Sequence, residues 1–204
     1  MRHTGLRIMR VALSFIIISI ATLSLAQEQS EIINTYIKQG VDFKYYNQFV
    51  LKTLEVDNTR LIPPPWVDNP DPRQWRLSDS NKDFLRTAYR ESMQIGLEES
   101  GDFKVVNEHV RGSLELEVTI VSLTPYAREG EKVTTRGIGE LTYEASLRDA
   151  RTGELLALYK GTQQVGEDYQ ENTDFNKASN LIQHFTNWGR LVSARLVAAH
   201  EASE

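Results

Sequence analysis

Over residues 114–120 apolar and polar side chains alternate strictly: Leu114, Leu116, Val118 and Ile120 fall on one row, Glu115, Glu117 and Thr119 on the other. A period of two predicts a strand with one buried and one wet face. A second long strand follows through Ile138, Leu141, Tyr143, Ala145 and Leu147. There Gly137, Gly139 and a one-residue slip in the pattern predict a bulge or bend. Asp149-Ala150-Arg151-Thr152-Gly153 then reads as a type I turn closing on a left-handed glycine, which pairs that strand with the next, from Leu155 to about Val165. Upstream, β-branched and aromatic residues predict a first strand over residues 46–56 and a short one over residues 103–106.

In two places the period lengthens to that of a helix. Phe84, Leu85, Ala88, Tyr89, Ser92, Ile95 and Gly96 share one face of a predicted helix. Ser78 or Ser80 can cap it, with Asp83 three residues beyond Ser80, and Gly101 supplies the stop. The centre of this face, Ala88, Ser92 and Gly96, is small. A second helix is predicted over residues 174–200, along Phe175, Ala178, Ile182, Phe185, Gly189, Val192, Leu196 and Ala199, with Leu181 and Trp188 widening the stripe. Glu171 and Asp174 stand at its positive end. Gly189 in mid-helix costs about 1 kcal/mol relative to Ala, so a close backbone approach is expected there, with Gly96 as the partner.

Between the first strand and the first helix, residues 61–76 carry five of the six prolines, too many missing N–H donors for a helix or a central strand. A loop stiffened by proline loses little entropy on binding, and Trp and Arg are enriched at binding hot spots. Trp66, Arg73 and Trp75 are therefore the partner-binding candidates, against the alternative that the two tryptophans fold down as a lid on the sheet or helix end. Residues 27–44 are polar and without sustained period, and read as a tether. The expected architecture is a single α+β domain over residues 45–200: an antiparallel or mixed sheet of four to five strands packed against two helices.

Arg2, Arg7 and Arg10 precede an uninterrupted low-polarity run over residues 11–25, which ends in Ser24-Leu25-Ala26. This is the pattern of a signal peptide cleaved after Ala26, with Gln27 as the new terminus. The run is shorter than the roughly 20 apolar residues of a membrane-spanning helix. Cleavage would remove three of the 23 basic residues and none of the 28 acidic ones, leaving the exported chain more negative than the −5 of the whole. With no run of three Lys or Arg, nucleic acid and acidic membrane surfaces are not expected partners. The chain is expected to be soluble in the periplasm or outside the cell, without a stable membrane anchor.

Candidate chemistry is sparse. The cysteine count is zero, which excludes disulfides, thiolate ligands and an acylated N-terminal cysteine. Beyond residue 26 only His109, His184 and His200 remain, and no two have the spacing that places metal ligands on one helix face. Gly-x-Ser-x-Gly is absent, and Gly137-Ile138-Gly139 leads into a strand rather than a helix. The acid pairs Glu115 and Glu117, Glu98 and Glu99, and Glu167 and Asp168 leave open a periplasmic hydrolase that uses two carboxylates. Solvated surface explains them equally well. The favoured reading is a non-catalytic envelope module that binds a protein or an envelope component, with no cofactor, no metal and no catalytic residues.

The chain resembles a family of bacterial exported proteins and lipoproteins of unknown function, DUF3313. The residues carrying the likeness are Leu77-Ser78, the leucine-rich strand from Leu114, the run from Ala145 through Asp149-Ala150-Arg151-Thr152-Gly153 to Glu154, and Trp188-Gly189-Arg190-Leu191. The resemblance spans about residues 45–197. It implies the α+β fold and supplies no catalytic residues. Members of the family often begin with an acylated cysteine, which this sequence lacks.

Overall fold

The computed structural model describes residues 32–201, so the expected signal peptide and cleavage site lie outside the described residues. In chain order the elements are β1 (Ile32–Ile37), β2 (Gln48–Leu51), β3 (Arg60–Leu61), α1 (Asp79–Glu98), β4 (Lys104–Val106), β5 (Ser113–Pro125), β6 (Thr134–Arg136), β7 (Gly139–Asp149), β8 (Leu155–Val165), β9 (Tyr169–Glu171) and α2 (Asp174–Glu201). Short 3-10 turns lie at Phe43–Tyr45 and Pro72–Gln74.

The turn after Asp149 builds the centre of the sheet. Asp149 Oδ1 accepts from the N–H groups of Arg151 and Thr152 at 3.0 and 2.8 Å, and Gly153, at φ 74°, donates to the Asp149 carbonyl at 2.8 Å. These local bonds set the β7–β8 hairpin, and β7 pairs antiparallel with β5 along its other edge. On β5, Leu114, Leu116, Val118 and Ile120 are buried, as their alternation requires. The opposite face carries cross-strand pairs, including Lys160 with Glu144 and Thr142 with Thr162. The slip in pattern is absorbed in two places: Gly137 bends the chain at φ 71°, while the register shift falls on the partner strand, between Ile120 and Ser122.

The sheet differs from the expected one. It has seven strands in the order β1-β8-β7-β5-β2-β4, with β3 also beside β5, and β6 and β9 form a separate two-stranded ribbon. The sheet is mixed because β2 runs parallel to both β4 and β5, and β3 is parallel to β5. The segment read as one strand is β2 followed by a looser continuation: Lys52 N–H bonds the Leu116 carbonyl, Glu55 N–H the Val118 carbonyl, and β3 resumes the ladder at Ser122. Part of the expected tether is also sheet, since β1 pairs antiparallel with β8. Its stabilisation comes from a strand far along the chain, which a local pattern cannot reveal.

Both helices have side-chain caps: Ser78 Oγ accepts from Asn81 N–H at 3.1 Å, and Thr173 Oγ1 from Asn176 N–H at 3.2 Å. They pack on each other through glycine. A methyl added to Gly96 would lie 2.1 Å from the Thr186 carbonyl, and one added to Gly189 would lie 2.7 Å from that of Met93. The expected backbone approach is therefore present. Around it sit Leu85, Ala88, Tyr89, Ser92, Met93 and Leu97 of α1, all buried, and Phe185, whose ring meets Tyr89 edge-on at 5.6 Å. The predicted faces need correction at their margins. Phe84 and Ile95 of α1 and Phe175 and Ile182 of α2 are exposed, because each buried face turns toward the other helix rather than lying flat on the sheet.

Candidate functional site

On the side away from Gly189, α2 leaves space above the sheet. An apolar chamber of about 330 Å³ lies there. Its floor is the buried row of the central strands: Leu116 and Val118 from β5, Tyr143, Ala145 and Leu147 from β7, and Tyr159 from β8. Its roof is α2, through Trp188, Leu191, Val192, Arg195, Leu196 and Ala199, which recur every three or four residues and so share one face. Met93, Ile37 and Phe43 complete the walls. An apolar cavity of about 150 Å³ takes up benzene, and small-molecule sites run from about 300 to 1,000 Å³. This chamber is therefore large enough to hold a ligand.

Polar groups in its walls are few and placed. Trp188 Nε1–H donates to Gln163 Oε1, which fixes the indole, and the ring lies 4.5 Å from that of Tyr143. Burial pushes the Tyr143 phenol up to about 12 and also raises that of Tyr159, while the positive charge of Arg195 opposes both shifts. Arg195 itself is exposed and is among the residues that line the chamber. Among the described residues it has no hydrogen-bond or ion-pair partner. One turn before Trp188, His184 is packed against that indole at 4.9 Å; burial pushes its pKa down to about 4, and its Nε2 has no partner among the described residues.

A family model for proteins of unknown function, DUF3313, matches residues 23–192. The chain belongs to the DUF3313 family. No curated protein matches it. Solved structures similar to this DUF3313 member include a DUF330 family protein from Xanthomonas campestris, at 14% identity and TM-score 0.44, covering 84% of this chain and 96% of that one. A PelC dodecamer from Paraburkholderia phytofirmans is similar at 8% identity and TM-score 0.37, over 76% and 96% of the two chains. A lipoprotein from Neisseria meningitidis is similar at 13% identity and TM-score 0.31, over 70% and 96%.

In this DUF3313 protein the three residues singled out from the proline-rich segment do not converge. Trp66 is 63% exposed, with its ring 6.2 Å from that of Tyr126. Arg73 is exposed but closed on its own turn, its Nε and Nη2 bonding the Asp71 carboxylate at 2.9–3.2 Å, which also accepts the Arg73 N–H. Trp75 is only 9% exposed and forms a wall of a wet cleft with Asp57, Leu77 and Lys82. Its burial fits the alternative in which this tryptophan folds down within its own domain, where a large aromatic gains most.

Three of the six residues in the acid pairs are engaged through their side chains. Glu115 Oε2 is 2.7 Å from His109 Nε2, Glu98 accepts from the Val105 N–H at 2.8 Å, and Glu99 pairs with Arg190. Where a carboxyl departs from its ordinary range it goes down: hydrogen bonds from Arg86, Arg73 and Arg190 lower Asp57, Asp71 and Glu99. Asp149 is also low, since bonds from Thr152 and Tyr46 outweigh the raising effect of burial. A general acid needs the opposite shift. Among the described residues no group of three or more His, Asp or Glu could hold a metal ion, and no helix is long and apolar enough to cross a membrane. From the sequence Tyr143 and Trp188 were read as apolar residues of their strand and helix, and Tyr159 and Arg195 not at all; none was read as part of a site. One signal was present: Arg195 stands at the spacing of the apolar stripe, four residues from both Leu191 and Ala199.

Proposed function

We propose that this protein is a non-catalytic binding module of the cell envelope, and that it holds an apolar ligand, or the apolar end of an envelope component, in the chamber beneath α2. The observation that carries this reading is an apolar space of about 330 Å³ between α2 and the sheet. Protein interiors normally close such space, because unfilled apolar walls forfeit contact energy. Support for an envelope location comes from the cationic, apolar and small-residue succession over residues 1–26, read as a signal peptide cut after Ala26. Export as a soluble protein follows from that cut. Three of the six paired acids, Glu98, Glu99 and Glu115, are engaged in local bonds, which supports binding over catalysis.

The test is saturable uptake of a neutral apolar fluorophore, N-phenyl-1-naphthylamine, by the purified protein. Its emission is expected to rise and to saturate at one probe per chain. Ala145→Phe, which places a ring in the chamber, is expected to abolish the rise while the circular dichroism stays native. No uptake by the wild type, or undiminished uptake by a folded Ala145→Phe variant, overturns the proposal.

A further inference from the structure

We infer that the chamber takes the single alkyl chain of an anionic amphiphile and that Arg195 holds its head group. The inference rests on the chamber being a ligand site and adds the chemical class. At about twice the volume that admits benzene, the space suits one chain of medium length and is too small for the paired chains of a phospholipid. Its walls give such a chain no hydrogen-bonding partner along most of its length, so a carbohydrate or peptide would strand polar groups there.

The charge at the rim decides the head group. Arg195 is the charged residue among those that line the chamber. Most other basic residues of the two helices are paired: Arg86 with Asp57 and Asp83, Lys82 with Asp57, Arg190 with Glu99 and Lys177 with Asp174, while Arg90 is hydrogen-bonded to the Leu51 carbonyl and to Asn107. Among the described residues Arg195 has no such partner, although the chain is acidic and carboxylates are plentiful. Arg195 both lines the chamber and is exposed, so a chain inserted beneath α2 would leave its own head near the guanidinium. A guanidinium binds carboxylate and phosphate through parallel hydrogen bonds, and its charge already acts on the Tyr143 and Tyr159 phenols in the floor. A cationic head would be repelled there.

Calorimetric titration of the purified protein with matched decyl amphiphiles, each kept below its micelle concentration, tests this. Decanoate and decyl phosphate are expected to bind at least about tenfold tighter than decyltrimethylammonium, the size of one charge-assisted hydrogen-bond pair. Decyl maltoside should fall between. Arg195→Gln is expected to reduce the anionic preference to within about twofold while the chain itself still binds. Equal affinity for all heads, or a preference unchanged in Arg195→Gln, overturns the inference and leaves the apolar site standing; failure of every decyl compound and of the neutral fluorophore overturns both. Sedimentation with phosphatidylglycerol vesicles, without binding of decanoate as monomer, would point to a membrane surface and also overturn it.

Discussion

The two long faces of α2 are packed by opposite rules. Toward α1 the helix presents Gly189, and the backbones come so close that a methyl at either glycine would collide with a carbonyl. Toward the sheet the same helix presents Trp188, Val192 and Leu196, all larger, and yet a cavity remains. Side-chain volume alone would predict the reverse. The glycine seam fixes where the axis of α2 lies, and the sheet-facing side chains then do not reach the floor everywhere. Tight packing on one side thus maintains room on the other.

The comparison is broken most severely at the seam. Gly189→Leu adds four heavy atoms where one already collides, and is expected to cost about 3 kcal/mol or more; a urea midpoint equal to that of the wild type would mean that the seam does not hold α2. Truncation should then separate the two faces. Leu97→Ala, at a fully buried seam position, is expected to cost about 2–5 kcal/mol, whereas Leu191→Ala, at the chamber rim, should cost less than about 1 kcal/mol. Comparable losses from paired denaturation curves would refute the difference in packing.

A smaller effect concerns the boundary between the regions. His184 is held neutral by burial, with a folded pKa of about 4. The unfolded chain takes up the proton first, near pH 6.5, so stability should decline as the pH falls from there toward 4 and level off below. By pH 5 the loss is about 2 kcal/mol. His184→Gln should remove that part of the slope between urea melts at pH 7 and pH 5. The smallest expected effect is Tyr89→Phe. The Tyr89 hydroxyl is fully buried in the seam without a hydrogen-bond partner among the described residues. Its removal should be neutral or should raise stability by about 1 kcal/mol, and a clear loss in the thermal midpoint would show that the hydroxyl is satisfied.

What could be read from the sequence was what local chemistry determines. The Asp149–Gly153 turn, the Ser78 cap, the alternation on β5 and the glycine approach all follow from residues within a few positions of each other or from the need to explain a mid-helix glycine. The parallel pairing of β2 and β3 with β5 is set by the path of the chain between them, and β1 by its distant partner β8, so neither leaves a periodic trace. The margins of the helical stripes, Phe84, Ile95, Phe175 and Ile182, were assigned inward because a wheel shows which residues share a face but not how wide a face the neighbour covers. Trp75 and Trp66 have the same composition signal and opposite burial. The chamber left least trace of all, since it depends on the separation of α2 from the sheet; only Arg195, a cation at the apolar spacing, hinted at it.

The edge strand β1 bears on the order in which the molecule assembles. The β5–β7–β8 meander closes through neighbouring residues and forms early, whereas β1 must wait for residues 157–161, synthesised near the end of the chain. The first described segment of the polypeptide to emerge is therefore among the last to be locked in place. For a chain exported as proposed above, that delay would leave this edge of the sheet open until most of the length has been translocated.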